Sequence, residues 1–181
     1  KNDLTQLETI YIGGGRPSLK SSELKIIMEI ISSTVKTGCI KEYTVECNPV
    51  DINNELLAIL KKYGCNRVSL GIQSFTPEAI KYCARIGQDD QKVNNALDLL
   101  NRSDLAISID LISGLPFSVI ETEMQNLSKV LKKYKNIKHI SLYDLSIEKG
   151  SFFCDISDVV PDDVFMSKYN KEFTKIIRNS G

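Results

Sequence analysis

The chain has 181 residues, 42% of them hydrophobic, and its 23 Lys and Arg side chains balance 23 Asp and Glu. This length and apolar fraction are typical of one globular domain with a sizeable core, here residues 1–181, and they exclude intrinsic disorder. A net charge of zero argues against nucleic-acid binding, and no apolar run approaches the ~20 residues that span a bilayer.

The N-terminus and the cysteines bear on the cellular setting. The chain begins at Lys1 without a charged start and apolar segment, so we expect a fragment or processed product that lacks a signal peptide. Five widely spaced cysteines favour scattered buried thiols in a reducing, cytoplasmic compartment over a disulfide framework. They are Cys39, Cys47, Cys65, Cys83 and Cys154. Because the sequence has one histidine, a multi-histidine metal site is excluded within this chain.

Strand and helix patterns alternate along the first half of the chain. Short runs rich in β-branched and aromatic residues predict strands over residues 8–12, 43–47 and 67–73. Apolar residues at helical spacing predict one helix starting near Ser21 and ending at Gly38, and another that carries Leu56. After the third strand, Thr76 and Pro77 predict a helix with a threonine cap and a proline in the first helical position.

The second half of the chain continues the same alternation. A helix is predicted after Gly87, and further strands are predicted over residues 105–112 and 139–145. Between these strands, Ser118 and Glu121 have the spacing of a capping box, which predicts the start of another helix. A last helix is predicted to start near Pro161.

The repeat of about five βα units defines the predicted fold class. No hairpin pattern separates the strands, so we expect a parallel sheet with helices outside it. Such a repeat either curls into a barrel or opens into a doubly wound sheet, and the residues alone leave both arrangements open. No linker interrupts the repeat, which favours a single domain.

Polar residues occur where the predicted strands end. Parallel strands buried on both faces should be apolar, and Glu46, Gln73 and Asp110 break that rule at the carboxyl ends, where βα folds place their sites. The two carboxylates can bind sugar hydroxyls or a cation, or they can cap loops and form ion pairs. Taken individually, Arg85 is typical of a surface residue and His139 of a structural one.

A triple glycine, Gly13–Gly15, follows the first strand. It predicts either a tight turn or a loop with uncovered main chain that a ligand can approach closely, so that the turn can hold a carboxylate, an amine or a phosphate. Neither dinucleotide-binding nor Walker spacing occurs here. Aromatic residues including Tyr143 and Phe152–Phe153 are expected to pack in the interior. The residues alone therefore predict a βα-barrel-like enzyme that binds a polar small molecule, a zwitterion with a ribose rather than a polyphosphate.

Five motifs in order make the pattern specific. They are Tyr11-Ile12-Gly13-Gly14-Gly15-x-Pro17-Ser18, Glu46-x-Asn48-Pro49, Leu70-Gly71-Ile72-Gln73-Ser74-Phe75, Asp110-Leu111-Ile112-x-Gly114-Leu115-Pro116 and His139-Ile140-Ser141-x-Tyr143. Together they resemble the radical S-adenosylmethionine (SAM) family of the oxygen-independent coproporphyrinogen III oxidase type. The second and third motifs are more similar to the heme-chaperone subgroup. The resemblance implies a partial (βα) TIM-like barrel of the radical SAM type, with this chain as an incomplete barrel core.

The resemblance implies a set of SAM-binding residues. Gly14, Gly15 and the backbone of Arg16 would contact the methionyl part, Glu46 would bind the amino group and Arg85 the carboxylate.

The ribose and the adenosine would be contacted by residues of later strands. Gln73 and Asp110 would hydrogen-bond the ribose hydroxyls, and Ile112 and Ser146 would lie near the adenosine. No catalytic side chain and no metal ligand is implied within this chain.

The implied cofactors are SAM and a [4Fe-4S] cluster, whose electron would break a C–S bond of SAM to give methionine and a 5′-deoxyadenosyl radical. The chain departs from the family in two places. None of its cysteines has the CxxxCxxC spacing of the cluster loop, which we expect upstream of Lys1, so the chain itself should lack the cluster and be inactive. Arg16 also replaces the usual threonine after the glycines and introduces a bulky cation.

Two functions follow from the resemblance. The parent protein is either an oxidoreductase of the coproporphyrinogen III oxidase type or a heme chaperone without decarboxylase activity. Its partners would be small molecules, SAM with porphyrinogen or heme, and an electron-donor protein, but not nucleic acid. Membrane contact belongs to the chaperone alternative alone. An unrelated aldolase is disfavoured, because no strand end supplies a lysine for a Schiff base.

Overall fold

The computed structural model describes residues 7–35, 39–83, 85, 87–147 and 159–180. Three sequence-based expectations lie outside the described residues, at Gly38, Phe152–Phe153 and Cys154. No helix in the described ranges has the length and apolar character needed to cross a membrane.

Five parallel strands in the described ranges form one sheet. They are β1 (Thr9–Ile12), β2 (Glu42–Cys47), β3 (Arg67–Gln73), β4 (Ala106–Ser113) and β5 (Ile137–Asp144). Their order in the sheet is their order in the chain. Because a doubly wound sheet reverses its strand order at a switch point, this order identifies the open βα-barrel arrangement. The predicted α/β fold with five parallel strands is confirmed.

Helices follow the strands in the described part of the chain. They are α1 (Ser21–Thr34), α2 (Asn54–Lys62), α3 (Pro77–Ile80), α4 (Asp90–Asn101), α5 (Ile120–Lys133) and α6 (Asp163–Arg178). The amphipathic pattern that predicted them places their apolar residues against the sheet. The buried side chains contributed by α1, α2, α4 and α5 include Leu24, Met28, Leu56, Leu60, Leu97, Leu100 and Leu127.

The two faces of the sheet differ in character. Since alternate strand residues point to opposite faces, Val45, Leu70 and Ile109 meet the helices. Burying each such side chain contributes about 1.5–3 kcal/mol. The other face carries polar residues along its length, including Thr44, Ser69 and Ser108, and these are also buried. The expectation of apolar strands broken only at the rim was therefore wrong, because the inner face of an open barrel is not covered by helices.

Two predicted helix starts differ from the structure. Helix α5 begins at Ile120 with Val119 in the cap position, and neither residue 118 nor 121 forms the predicted capping box. The Ser118 hydroxyl is buried and finds no hydrogen-bond partner among the described residues. Thr76 does precede Pro77 in the cap position of α3, but its hydroxyl makes no capping hydrogen bond. It donates instead to Glu123 on α5, at 2.8 Å.

The described cysteines should differ strongly in reactivity. Burial raises the pKa of the Cys65 thiol to about 12 and that of Cys83 to about 11, and it raises the pKa of Cys47 further still. Cys39 is exposed. Because the thiolate is the nucleophile, we expect iodoacetamide at pH 8 to alkylate Cys39 at least roughly tenfold faster than Cys47. Time-resolved peptide mass spectrometry measures both rates, and equal rates in the folded chain would contradict this prediction.

Candidate functional site

A polar cleft of about 240 Å³ lies at the carboxyl ends of β2, β3 and β4. This is the end of a βα barrel at which ligands bind. Several residues singled out from the sequence line it, namely Gly15, Arg16, Glu46, Gln73, Arg85, Asp110 and Ile112. The fold thus gathers one set of side chains from segments that are far apart in the sequence.

Two predicted residues lie outside the cleft lining. Gly14 is exposed in the turn beside it, with φ near +92°, and its N–H donates to Glu46 at 2.8 Å. Ser146 is exposed and lies beyond the end of β5. Its proposed place near an adenosine therefore stays a prediction.

Glu46 is held by two hydrogen bonds at the end of β2. The Tyr11 hydroxyl donates to Oε1 at 2.6 Å, and the Gly14 N–H donates to Oε2. Burial raises the pKa of the Tyr11 hydroxyl, and the adjacent Glu46 carboxylate raises it further. Tyr11 therefore stays a proton donor, and the carboxylate has a fixed orientation with lone pairs left for a ligand.

Asp110 lies on β4 beside the middle of β3. The Ser69 hydroxyl donates to its Oδ2 at 2.8 Å, and the strand register pairs Asp110 with Gly71 and Ser141. Only the Oδ2 atom of Asp110 takes part in that hydrogen bond. Its other carboxylate oxygen is a strong acceptor that remains available to hydroxyl groups in the cleft.

Gln73 ends β3 in a strained backbone conformation. Its φ is +70°, and the N–H of Ser74 donates to the carbonyl of Ile72 at 3.0 Å across it. A hydrogen bond of this span around a residue of positive φ marks the rare, strained form of the γ-turn. The pairing with β4 also shifts register between Gly71 and Gln73. The bulge and the turn together redirect the end of β3 at the cleft.

Gly71 leaves room for two side chains of the cleft. A Cβ at this position would lie 2.7 Å from Nε2 of Gln73 and 3.1 Å from a terminal nitrogen of Arg85. Both contacts are closer than ordinary van der Waals distance. The absence of a side chain at residue 71 therefore lets the amide and the guanidinium lie over the strand.

Arg85 is a half-buried cation without an ion-pair partner among the described residues. Burial lowers the pKa of its guanidinium, although an arginine remains protonated in proteins. A cation that is partly desolvated and unpaired favours an anionic ligand. The sequence alone suggested an ordinary surface arginine, and its position in the cleft corrects that interpretation.

Arg16 is a cation of a different kind, because its charge is already paired. Its guanidinium binds the Asp51 carboxylate through two nitrogens, with Nε at 2.8 Å from Oδ2. The Ser18 hydroxyl donates to the same carboxylate oxygen at 2.7 Å. Hydrogen bonds to Asp51 raise the pKa of Arg16. At the cleft wall, the positive charge of Arg16, which replaces the usual threonine, is therefore neutralised by Asp51.

Sequence reasoning missed several residues of the cleft. Ser69 was treated only as part of a strand and Gly71 only as part of a strand and a motif, although their alternation with Gln73 along β3 could have indicated both. Tyr143 was expected to pack in the interior, but it is 59% exposed and lines the cleft. His139 lies within β5 and does not line the cleft. In the described ranges, no group of three His, Cys, Asp or Glu side chains is placed to hold a metal ion.

Fold and cleft together define an open parallel βα barrel whose rim is rich in carboxylate, amide and guanidinium groups. The chain belongs to the radical SAM superfamily, whose sequence model matches residues 2–128. The family predicted from the five motifs is confirmed.

The chain is also similar to several curated proteins. It is 32% identical to the heme chaperone HemW of Lactococcus lactis over 83% of this chain and 40% of that protein. It is 31% identical to the heme chaperone HemW of Escherichia coli, over 87% of this chain and 42% of the relative. It is 30% identical to the mitochondrial radical S-adenosyl methionine domain-containing protein 1 of Mus musculus, over 97% of this chain and 40% of that protein. The chain spans about 40% of the length of the relatives it matches.

Solved structures support the fold. Coproporphyrinogen III oxidase (HemN) from Escherichia coli, a radical SAM enzyme, matches with a TM-score of 0.80 and 21% identity, over 96% of this chain and 41% of that one. An archaeal Elp3 from Methanocaldococcus infernus matches with a TM-score of 0.65 and 21% identity, over 85% of this chain and 40% of that one. These matches show the partial TIM-like barrel predicted from the sequence.

Proposed function

We propose that the cleft binds SAM and that the chain forms, over residues 1–181, the barrel core of a radical SAM protein in heme or porphyrin metabolism. The observation that supports this most strongly is the Arg85 cation, which has no ion-pair partner in the described ranges and lines the same cleft as the Glu46 and Asp110 carboxylates. A zwitterion with a ribose has the complementary groups: an ammonium, a carboxylate and two hydroxyls.

Each group of SAM has a counterpart in the cleft. Glu46 accepts hydrogen bonds from the amino group, and Arg85 binds the carboxylate through a charge-assisted pair. Gln73 and Asp110 hydrogen-bond the ribose hydroxyls. Gly15 and the backbone of Arg16 lie against the methionyl part, and Ile112 offers apolar contact to the adenosine. The chain's contribution is to bind and orient the ligand.

The cysteines of this chain bear on whether it can hold a [4Fe-4S] cluster. When bound, the cluster supplies the electron with which this family forms a radical from SAM. The cysteines of this sequence lack CxxxCxxC spacing, so its residues do not fit a cluster site. An electron-donor protein, as a partner of the parent protein, belongs to the same proposal.

Among the two functions predicted from the sequence, we propose the heme chaperone. Relatives with at least 30% sequence identity include proteins named heme chaperone HemW, whereas the oxidase shares the fold with only 21% sequence identity. The oxidase is the second candidate, supported by its TM-score of 0.80. Heme or porphyrinogen is the second ligand in either case. A cytoplasmic location agrees with the free thiols of the described cysteines. Membrane contact is part of the chaperone proposal only.

Calorimetric titration of the purified chain with SAM tests the proposed site. We expect saturable binding, and we expect Glu46→Gln to weaken it roughly tenfold because one charge-assisted hydrogen bond is lost. Glu29→Gln, an exposed carboxylate on α1, is the matched control and should bind as the unchanged chain does. A folded chain that fails to bind millimolar SAM would refute the proposal. Heme titration together with a coproporphyrinogen decarboxylation assay, on the parent protein, separates chaperone from oxidase.

A further inference from the structure

Helix α5 carries a buried carboxylate that the proposed ligand site does not use. Glu123 is only 1% exposed. Its two oxygens accept hydrogen bonds from the Ser74 hydroxyl, the Phe75 N–H at 2.9 Å, the Thr76 N–H at 3.1 Å and the Thr76 hydroxyl at 2.8 Å. The carboxylate therefore binds one continuous stretch of chain, residues 74–76.

That stretch directly follows the strained turn at Gln73. On the other side of the turn, Nε2 of Gln88 donates to the Ile72 carbonyl at 2.7 Å. The Thr76 hydroxyl also accepts from the N–H of Val119, at 3.2 Å, and so ties the stretch to the start of α5. The positive φ of Gln73 is thus bracketed by hydrogen bonds on both sides.

The chemistry of this contact is unusual for a residue that only fills the core. Burying a carboxylate carries a large desolvation penalty, and apolar residues of similar volume often stabilise a fold as well or better. Burial also raises the pKa of Glu123, although its donors oppose that shift. Strained backbone conformations persist where their surroundings over-determine them, and they concentrate at ligand sites.

We propose that Glu123 is a positioning residue for the cleft: by binding residues 74–76 it holds Gln73 in its strained turn and keeps the Gln73 amide directed into the SAM site. This rests on the proposed function for the ligand. The effect of Glu123 on the turn is independent of which ligand binds.

Glu123→Gln tests the positioning role, since glutamine keeps the shape but replaces one acceptor oxygen by a donor. In the ligand-free chain, amide hydrogen exchange at Phe75 and Thr76, followed by NMR, should accelerate at least tenfold. The side-chain amide resonance of Gln73 should shift. The dissociation constant for SAM should rise about tenfold. Glu121→Gln, an exposed carboxylate on the same helix, is the matched control and should change none of these readouts.

Further variants separate positioning from general destabilisation. Val130→Ala removes buried apolar contact on α5 away from the loop, so it should lower stability and leave the SAM affinity of the folded chain unchanged. Thr76→Val should weaken SAM binding two- to fivefold, whereas Thr76→Ser, which keeps the hydroxyl, should not.

The outcomes distinguish the two proposals. Unchanged exchange at residues 75 and 76 together with an unmoved Gln73 resonance in Glu123→Gln overturns the positioning role. So does an equal loss of affinity in Val130→Ala at matched stability. If the unchanged chain does not bind SAM, the proposed function fails, and the exchange and resonance measurements still decide whether Glu123 holds the turn.

Discussion

Replacing Arg85 by leucine should weaken SAM binding roughly 10- to 100-fold while the free energy of unfolding stays unchanged or rises slightly. The loss of affinity follows because the cleft would lose the cation that pairs with the ligand carboxylate. Stability should not fall, because Arg85 has no ion-pair partner among the described residues. Leucine also removes the cost of holding a guanidinium in a half-buried position.

Calorimetry gives the affinity of the Arg85 variant, and urea unfolding gives its stability. Arg102→Leu is a suitable control, because Arg102 is exposed at the end of α4, away from the cleft, and should leave the affinity unchanged. A folded Arg85→Leu chain that binds SAM as tightly as the unchanged chain would remove Arg85 from the site. A large loss of stability would show instead that the arginine has a structural role.

Gly71→Ala should also weaken SAM binding about 10- to 100-fold, through displacement rather than removal of binding groups. The new methyl group would lie 2.7 Å from Nε2 of Gln73 and 3.1 Å from the Arg85 guanidinium, so both side chains must move. The Gln73 amide and the Arg85 guanidinium are the ends of flexible side chains, so we expect the free energy of unfolding to change by no more than about 1 kcal/mol. The lower conformational entropy of alanine in the unfolded chain offsets part of that cost.

A double-mutant cycle with Gln73→Ala checks this explanation. Shortening residue 73 removes one of the groups that the new methyl group displaces, so Gly71→Ala should lower affinity less in the Gln73→Ala background. Additive effects of the two changes would contradict displacement of Gln73. Urea unfolding of all three variants shows whether the fold is retained.

The general arrangement of the chain was accessible from its sequence. The β-branched runs and the helical spacing of apolar residues predicted the five strands to within two residues of their observed ends. The choice between barrel and doubly wound sheet was not accessible from these patterns, because strand order is a property of the sheet as a whole. The family resemblance supplied that choice before the structure did.

The site was predicted in part. Polar residues at strand ends, such as Glu46 and Asp110, violate the local hydrophobic pattern and are therefore visible in the sequence. The position of Arg85 in the cleft and the pairing of Arg16 with Asp51 depend on contacts between distant segments, which no local pattern records. The predicted threonine cap of α3 failed for the same reason, because the Thr76 hydroxyl donates to Glu123, 47 residues away in the sequence.

The contact between Glu123 and residues 74–76 has a consequence for how this protein can change over time. A mutation that removes the carboxylate leaves the Ser74 and Thr76 hydroxyls and the buried Phe75 N–H without this acceptor, and a mutation of the loop alone deprives the buried carboxylate of a hydroxyl donor. Either change on its own is costly. Substitutions at positions 74, 76 and 123 should therefore be inherited together among related sequences, as correlated rather than independent variation.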